Sequence, residues 1–343
     1  MMPGQSGSAP GPGAGAAAAG LAYDVFNGDA DGICALHQLR LAYPKPAQLV
    51  SGVKRDVELL ARLPQAAGLD VTVLDISLDC NALPLKRILD AGGRVTYFDH
   101  HSARQAFAHP RLHLFWDDAP DVCSSILVDA HLGGRFRAWA AVAAFGDNLP
   151  EPGRALAGAA GLDGAATRAL EELGQVLNYN AYGETLADLH IAPDALYRAV
   201  HDYADPFDFI RAAPCYRALA DGYRADIGLM ATLRPSWQSA CGAVYVLPAE
   251  AWARRVSGLF ANQLVARQTL SCAVLTENAD GSYVVSVRSG DPARLAACGL
   301  CERFPGGGGR RAAAGINRLP AQQLDHFVQL FSEYFAAPAA HAR

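Results

Sequence analysis

Two rhythms of apolar residues alternate along the first hundred positions. Short, mostly apolar runs at Leu21–Phe26, Gln48–Val53, Val71–Ile76 and Arg94–Phe98 predict strands. Between them, Ile33–Ala42, Val57–Leu63 and Ala82–Leu89 carry apolar positions at helical spacing. Strands buried on both faces read as apolar runs, and helices between them imply parallel βαβ units. Helices are then predicted at Ser124–His131, Ala138–Phe145 and Ala165–Tyr179, with Pro150 and Pro152 breaking the chain between the last two. Asp208–Leu233 reads as a long helical connector, after which the pattern restarts. Ala243–Leu247 is a strand, Ala249–Arg267 a helix, and Cys272–Thr276 with Tyr283–Arg288 a hairpin around Ala279-Asp280-Gly281-Ser282. Pro292–Phe304 is read as a helix, Gly306–Gly309 as a glycine run with a helix or turn after it, and about Pro320–Phe335 as a final helix. The expected fold class is α/β: an N-terminal doubly wound, mostly parallel sheet and a smaller C-terminal α/β domain. The divisions are a flexible tail at 1–20, a first domain at 21–205, a connector at 206–235 and a second domain at 236–337.

Hydrophobic types make up 51% of the 343 residues and charged types 18%, enough to bury a sizeable core and to exclude disorder of the whole chain. A net charge of −5 argues against coating duplex DNA, which favours a basic surface, but leaves room for a local basic groove. No stretch approaches the ~18–20 uninterrupted apolar residues of a membrane span. The first twenty residues are Met, Pro, Gly, Gln, Ser and Ala only, with neither a basic nor a bulky apolar region, so no secretory signal is read and a cytoplasmic location is expected. Of eight scattered cysteines only Cys298 and Cys301 form a C-x-x-C, without a second pair at zinc-ribbon spacing; they read as packed thiols.

Three short polar segments follow predicted strands: Asn27-Gly28-Asp29-Ala30-Asp31-Gly32, Asp75, and Asp99-His100-His101. In a parallel sheet the carboxyl ends of neighbouring strands face one crevice, so Asp29, Asp31, Asp75 and His100 are expected to converge. Gly146-Asp147-Asn148, at a helix end, brings a further carboxylate. Each Asp alone reads as a helix cap or a solvated loop residue. Together, four crowded carboxylates repel strongly unless a cation neutralises them, and oxygen-rich ligation with one imidazole suits Mn²⁺ or Mg²⁺ better than zinc. Ser124-Ser125 reads as a helix cap. Lys54-Arg55 follows a predicted strand, and crevice and solvent are equally good places for it.

Near the C-terminus stands Pro305-Gly306-Gly307-Gly308-Gly309-Arg310-Arg311-Ala312-Ala313-Ala314-Gly315. Glycines let backbone N–H groups approach a phosphate. From Arg288 to Arg311 five arginines face two carboxylates, +3 in an acidic chain; a solvated basic face is the plainer alternative. No Gly-x-Ser-x-Gly elbow and no Walker motif occurs.

In this order of motifs the chain resembles the DHH phosphoesterases, the group of RecJ-like exonucleases and oligoribonuclease/pAp phosphatases, over roughly residues 21–337. The resemblance implies a DHH domain, a C-terminal DHH-associated domain and two divalent cations, Mn²⁺ first and Mg²⁺ as a substitute. Carried over, Asp29 and Asp75 would hold one metal, and Asp31, Asp75, His100 and Asp147 the other, with Asp75 bridging. Asp99 would orient a histidine and His101 would meet the substrate phosphate, the pair forming the catalytic set. Asn27 stands where many relatives have His or Asp, which implies an outer-sphere role. Arg310 stands at the His of the family's Gly-Gly-Gly-His-x-x-Ala-Ala-Gly motif, and with Arg288, Ser289, Gly307, Gly308 and Gly309 would bind substrate. The implied activity is hydrolysis of short oligonucleotides or small phosphorylated nucleotides by a hydroxide bridging two metals. Exopolyphosphatase, single-strand exonuclease and a degenerate, non-hydrolytic nucleotide or nucleic-acid binder are the alternatives. No membrane or duplex-DNA partner is expected, and a homodimer is left open.

Overall fold

A computed structural model describes residues 21–103, 108–268 and 270–336; segment 1–20, expected to be a flexible tail, lies outside the described residues. The N-terminal half begins β1 (Ala22–Phe26), α1 (Ala30–Ala42), β2 (Gln48–Val50), β3 (Asp70–Leu74), α2 (Leu78–Asp90), β4 (Arg94–Asp99) and β5 (Leu112–Trp116). The five strands form one wholly parallel sheet in the order β2-β1-β3-β4-β5, with Val25 opposite Val73 and Val73 opposite Tyr97. Side chains alternate between faces. Val25, Val73 and Tyr97 join Leu85, Ile88 and Leu89 of α2 on one side. Phe26, Leu74 and Phe98 join α1 on the other. Burying each of these side chains contributes about 1.5–3 kcal/mol, which is why the sheet is covered on both faces.

The second face is completed by α3 (Ser124–His131), α4 (Arg137–Gly146), α5 (Pro150–Ala159), α6 (Gly164–Tyr179), α7 (Pro193–His201), α8 (Pro206–Ala212) and α9 (Pro214–Met230). The helix α4 is sheathed on all sides, with every residue from Trp139 to Gly146 buried. Its last residue must be small: a Cβ on Gly146 would lie 2.4 Å from the Cβ of Ala30. That close approach sets Asp147, the C-cap of α4, over the start of α1.

The C-terminal half contains β6 (Trp237–Ser239), β7 (Gly242–Leu247), α10 (Ala251–Gln268), β8 (Ser271–Glu277), β9 (Tyr283–Arg288), α11 (Ala297–Cys301), β10 (Gly307–Gly309), β11 (Ala313–Leu319) and α12 (Leu324–Ala336). Its sheet runs β10-β11-β9-β8-β7-β6, mixed because only β7 and β8 pair in parallel. One face packs on α11 and α12 through Phe327 and Phe331, the other on α10 through Val256 and Phe260. The two halves are bolted together where Arg255 of α10 donates to Asp226 of α9 at 2.8 Å and to the Tyr179 hydroxyl of α6 at 3.0 Å.

Several sequence expectations are corrected. Residues 57–63 form only a 3-10 turn, Leu59–Arg62, and the run at 48–53 is a strand only to Val50. The edge strand β5 and the helix α7 have no counterpart among the expected elements. Pro150 starts α5 at its first turn, where a missing N–H costs nothing, instead of merely breaking the chain. The connector is two helices, because Pro214 holds Ala213 extended at φ −72°, ψ 118°. The helix expected over 292–304 is confined to Ala297–Cys301, and the segment after the glycine run is the strand β11, not a helix. Cys301 is buried in the core beside half-buried Cys298, as packed thiols should be. No helix among the described residues is long and apolar enough to cross a membrane.

Candidate metal centre

The strand order puts a switch point between β1 and β3, since the chain moves from β1 to β2 on one side and returns to β3 on the other. Ligand crevices form at the carboxyl ends of strands there. Asp29 follows β1, Asp75 follows β3, and His100 and His101 follow β4. Asp75 has φ 58°, a left-handed conformation that Asp tolerates better than most residues; it ends the strand with a sharp turn at the crevice.

His100 Nε2 lies 3.3 Å from Asp75 Oδ1 and 3.7 Å from Asp147 Oδ2. Asp75, His100 and His101 each offer a ligand atom, all within 4.8 Å of one another. His101 Nδ1 is 2.7 Å from Asp99 Oδ1 and 4.0 Å from Asp75 Oδ1. Asp99 also accepts from the backbone N–H groups of His101 at 3.1 Å and of Leu78, at the start of α2, at 3.0 Å. A carboxylate held this way takes Nδ1–H and leaves Nε2 as the free nitrogen of His101.

The remaining carboxylates have other partners. Asp29 is the N-cap of α1: its Oδ1 accepts from the N–H groups of Asp31 and Gly32, and its Oδ2 is ion-paired with Lys54. Both oxygens of Asp31 accept from α3, at 2.7 Å from the N–H of Ser124 and 2.7 Å from that of Ser125. Helix N-termini carry partial positive charge, so Asp31 caps α3 from a distance of over ninety residues in sequence. The serines expected to cap that helix are thus the capped residues, and Cys123 is the N-cap position without a side-chain bond. The Ser124 hydroxyl lies 3.5 Å from Asp75 Oδ1. Asn27 accepts from the N–H of Asp29 and donates to the backbone carbonyl of Lys54, both at 3.3 Å.

Lys54, for which the sequence leaves crevice and solvent open, stands inside the crevice. Besides Asp29 it reaches Asp147 Oδ1 at 3.5 Å and donates to Asn178 Oδ1 at 3.2 Å, and its ammonium lies 5.7 Å from the centre of the Tyr182 ring. Its N–H donates to the carbonyl of Ala181. Nothing local along the chain signals this, because the partners on α6 and after it are more than 120 residues away.

Charge follows geometry. Burial raises the Asp75 carboxyl well above its ordinary value, and the charges of Asp29, Asp31 and Asp147 push it the same way. Burial likewise raises Asp147, partly offset by Lys54. Asp29 is lowered to about 2, because Lys54 outweighs the burial that would raise it. Burial would lower the Lys54 ammonium, but Asp29, Tyr182 and Asp147 hold it well above the usual lysine range. His101 is raised: burial opposes its charge, and the bond to Asp99 prevails. Asp75 and Asp147 are thus harder to ionise than ordinary carboxyls unless a further cation joins them. With His100 they form an oxygen-rich donor set that fits Mn²⁺ or Mg²⁺.

The C-terminal candidates are arranged differently. Arg288, at the end of β9, donates to Asn262 Oδ1 at 2.7 Å. The Ser289 hydroxyl is committed to the carbonyl of Leu295 at 2.6 Å, holding its own loop. Gly307, Gly308 and Gly309 form the edge strand β10 and pair with Ile316, Gly315 and Ala314. Gly309 has φ 140°, and a Cβ there would sit 2.6 Å from the Cα of Ala314, so this turn requires glycine for its own backbone. Arg310 is exposed, and among the described residues no hydrogen bond or ion pair joins its side chain to the carboxylate cluster. A cavity of about 140 Å³ lies between the halves, lined by Arg55, Tyr182, Arg254, Ser257 and Asn278. Tyr182 therefore belongs both to this cavity and to the surroundings of Lys54.

No protein-family model and no curated protein matches the sequence. Among solved structures, the manganese-bound exonuclease RecJ aligns with a TM-score of 0.63 at 17% identity, covering 93% of this chain and 91% of that one. RecJ with Mn²⁺ from Thermus thermophilus aligns at 0.54 and 17% identity, covering 93% of this chain and 52% of that one. The pGpG-specific phosphodiesterase PggH from Vibrio cholerae aligns at 0.50 and 15% identity, covering 90% and 98%. The chain therefore has the two-sheet α/β fold of RecJ.

Proposed function

We propose that this chain is a divalent-cation-dependent phosphoesterase that hydrolyses short oligonucleotides or small phosphorylated nucleotides. The observation that carries this reading is the meeting of Asp75, His100 and Asp147 at the carboxyl end of the switch point, with both carboxylates within 3.7 Å of His100 Nε2. The fold shared with RecJ and with a pGpG phosphodiesterase supports it. Asp75, Asp147 and His100 would hold the ion, Mn²⁺ by preference and Mg²⁺ as a substitute. Once bound, such an ion polarises a phosphoryl oxygen and acidifies a neighbouring water.

The chain's own residues do the rest. Asp99 holds His101 by Nδ1, so His101 presents Nε2 as a proton donor toward a phosphoryl or leaving oxygen. Its raised proton affinity favours that donor form. Lys54, tied to Asp29 and Asp147, places a fixed positive charge beside the reacting phosphate. The Tyr182 ring and Arg55 line a cavity of about 140 Å³ that would take a base or second phosphate next to the scissile one. Arg288, Arg310 and the strand Gly307–Gly309 would flank the substrate from the second half.

The test uses purified full-length protein with bis(p-nitrophenyl) phosphate, with and without Mn²⁺, followed by pAp, two- to five-nucleotide RNAs, cyclic dinucleotides, polyphosphate and long single-stranded DNA. Cleavage that needs Mn²⁺, stops with chelator and is abolished in Asp75→Asn is expected, with the shortest nucleotides turned over fastest. Metal-independent cleavage, or undiminished turnover in Asp75→Asn, would overturn the reading.

A further inference from the structure

We infer that Lys54 is a built-in cation of the crevice, occupying the Asp29 side so that the chain binds one divalent ion where the resemblance implies two. This rests on the metal-dependent reading above and specifies its stoichiometry.

Two observations carry it. First, the carboxylates differ in the partners they already have. Asp31 has both oxygens on the N–H groups of Ser124 and Ser125, and Asp29 has one on the start of α1 and the other on Lys54. An ion at Asp29 would have to displace the ammonium. Asp75 and Asp147 remain, and both face the single nitrogen His100 Nε2 at 3.3 and 3.7 Å, which is one donor set.

Second, Lys54 is held there by its backbone as well as its side chain. Its N–H goes to Ala181, and its carbonyl accepts from the Asn27 side chain. Asn27 uses its amide oxygen on the N–H of Asp29 and its amide nitrogen on Lys54. A carboxamide is both acceptor and donor in this way, and a carboxylate would lose the second bond. The neutral residue at 27 and the lysine at 54 thus form one unit: Asn27 anchors the segment whose ammonium replaces an ion.

The experiment loads full-length protein with excess Mn²⁺, removes unbound metal by gel filtration and counts bound manganese by mass spectrometry, with the electron paramagnetic resonance spectrum recorded on the same samples. Wild type should hold one Mn²⁺ per chain, with the six-line signal of an isolated ion. Lys54→Gln should rise to two per chain with a spin-coupled spectrum. Asp29→Asn should stay at one, because Asp29 serves the lysine and α1 and not the ion; this variant keeps the inference testable if Lys54→Gln does not fold. Two coupled ions in wild type, a count still at one in folded Lys54→Gln, or loss of the ion in Asp29→Asn would overturn the inference and leave the metal-dependent reading standing. No bound manganese together with no Mn²⁺-dependent hydrolysis would overturn both.

Discussion

Asp99 holds the imidazole of His101 at 2.7 Å through Nδ1, and its second oxygen accepts from the N–H of Leu78 at the start of α2. One fully buried carboxylate thus fixes both the His101 ring and the start of α2. In Asp99→Asn the ring loses its negative partner, and its proton affinity falls with it. Turnover should drop about 10–100-fold with little change in KM, as is common when the partner orienting a functional histidine is altered. The His101 ring resonance should titrate at lower pH than in wild type by nuclear magnetic resonance. An unmoved titration would mean that the contact does not set the tautomer.

Asp31 is the second residue whose partners decide its meaning. Its carboxylate is the cap of α3, so Asp31→Asn should destabilise the fold itself, by about 1.5–3 kcal/mol for a lost charge-assisted bond. Manganese affinity, measured by titration calorimetry, should fall far less than in Asp75→Asn. A variant with wild-type melting temperature and abolished metal binding would make Asp31 a ligand after all.

How far these roles are legible in the sequence depends on how local their causes are. The strands β1, β3 and β4 announce themselves because both faces are buried and the runs are apolar; so the polar residues ending them, Asp29, Asp75 and His100, can be placed at one crevice. The edge strand β5 carries His113 amid Leu112, Leu114 and Phe115 and gives a weaker signal. Pro214 is in plain view, and its effect on Ala213 is the local cue that splits the connector. The positions of Lys54 and Asp31 are not legible. Their partners, Asn178 and Ser124, are brought in by the packing of α6 and α3 on α1, which no periodicity encodes. Ser289 misleads in the opposite direction, since a hydroxyl at a strand end looks available until its loop folds back on it.

Arg310 follows the edge glycines and projects from the sheet, exposed. If it contacts a phosphate of the bound substrate, Arg310→Ala should raise KM roughly tenfold, the loss of about 1.4 kcal/mol expected of a partly solvated charge-assisted contact. Melting temperature should not move, because no partner in the fold depends on the side chain. An unchanged KM for the best short substrate would remove Arg310 from the binding surface and leave Tyr182, Arg55 and Arg288 as the groups lining it.

Stability should fall in mild acid for a reason separate from the crevice. His37 on α1 is fully buried, edge-on to Trp139 at 4.6 Å, with its Nδ1 3.1 Å from that of His201 on α7. Burial, reinforced by His201, lowers its proton affinity from 6.5 to about 3. The sign follows from linkage. As pH falls through 6.5 the unfolded chain takes up a proton at this position, while the folded chain does not until about 3. The unfolded state is therefore favoured progressively across that window, by several kcal/mol at its acid end. In His37→Leu, which keeps an apolar neighbour against Trp139, that proton is no longer available to either state. The melting temperature of wild type should thus decline more steeply than that of His37→Leu between about pH 6.5 and about pH 4, even if the variant starts lower. Parallel declines would show that His37 is protonated in the folded protein and that α1 and α7 tolerate the charge.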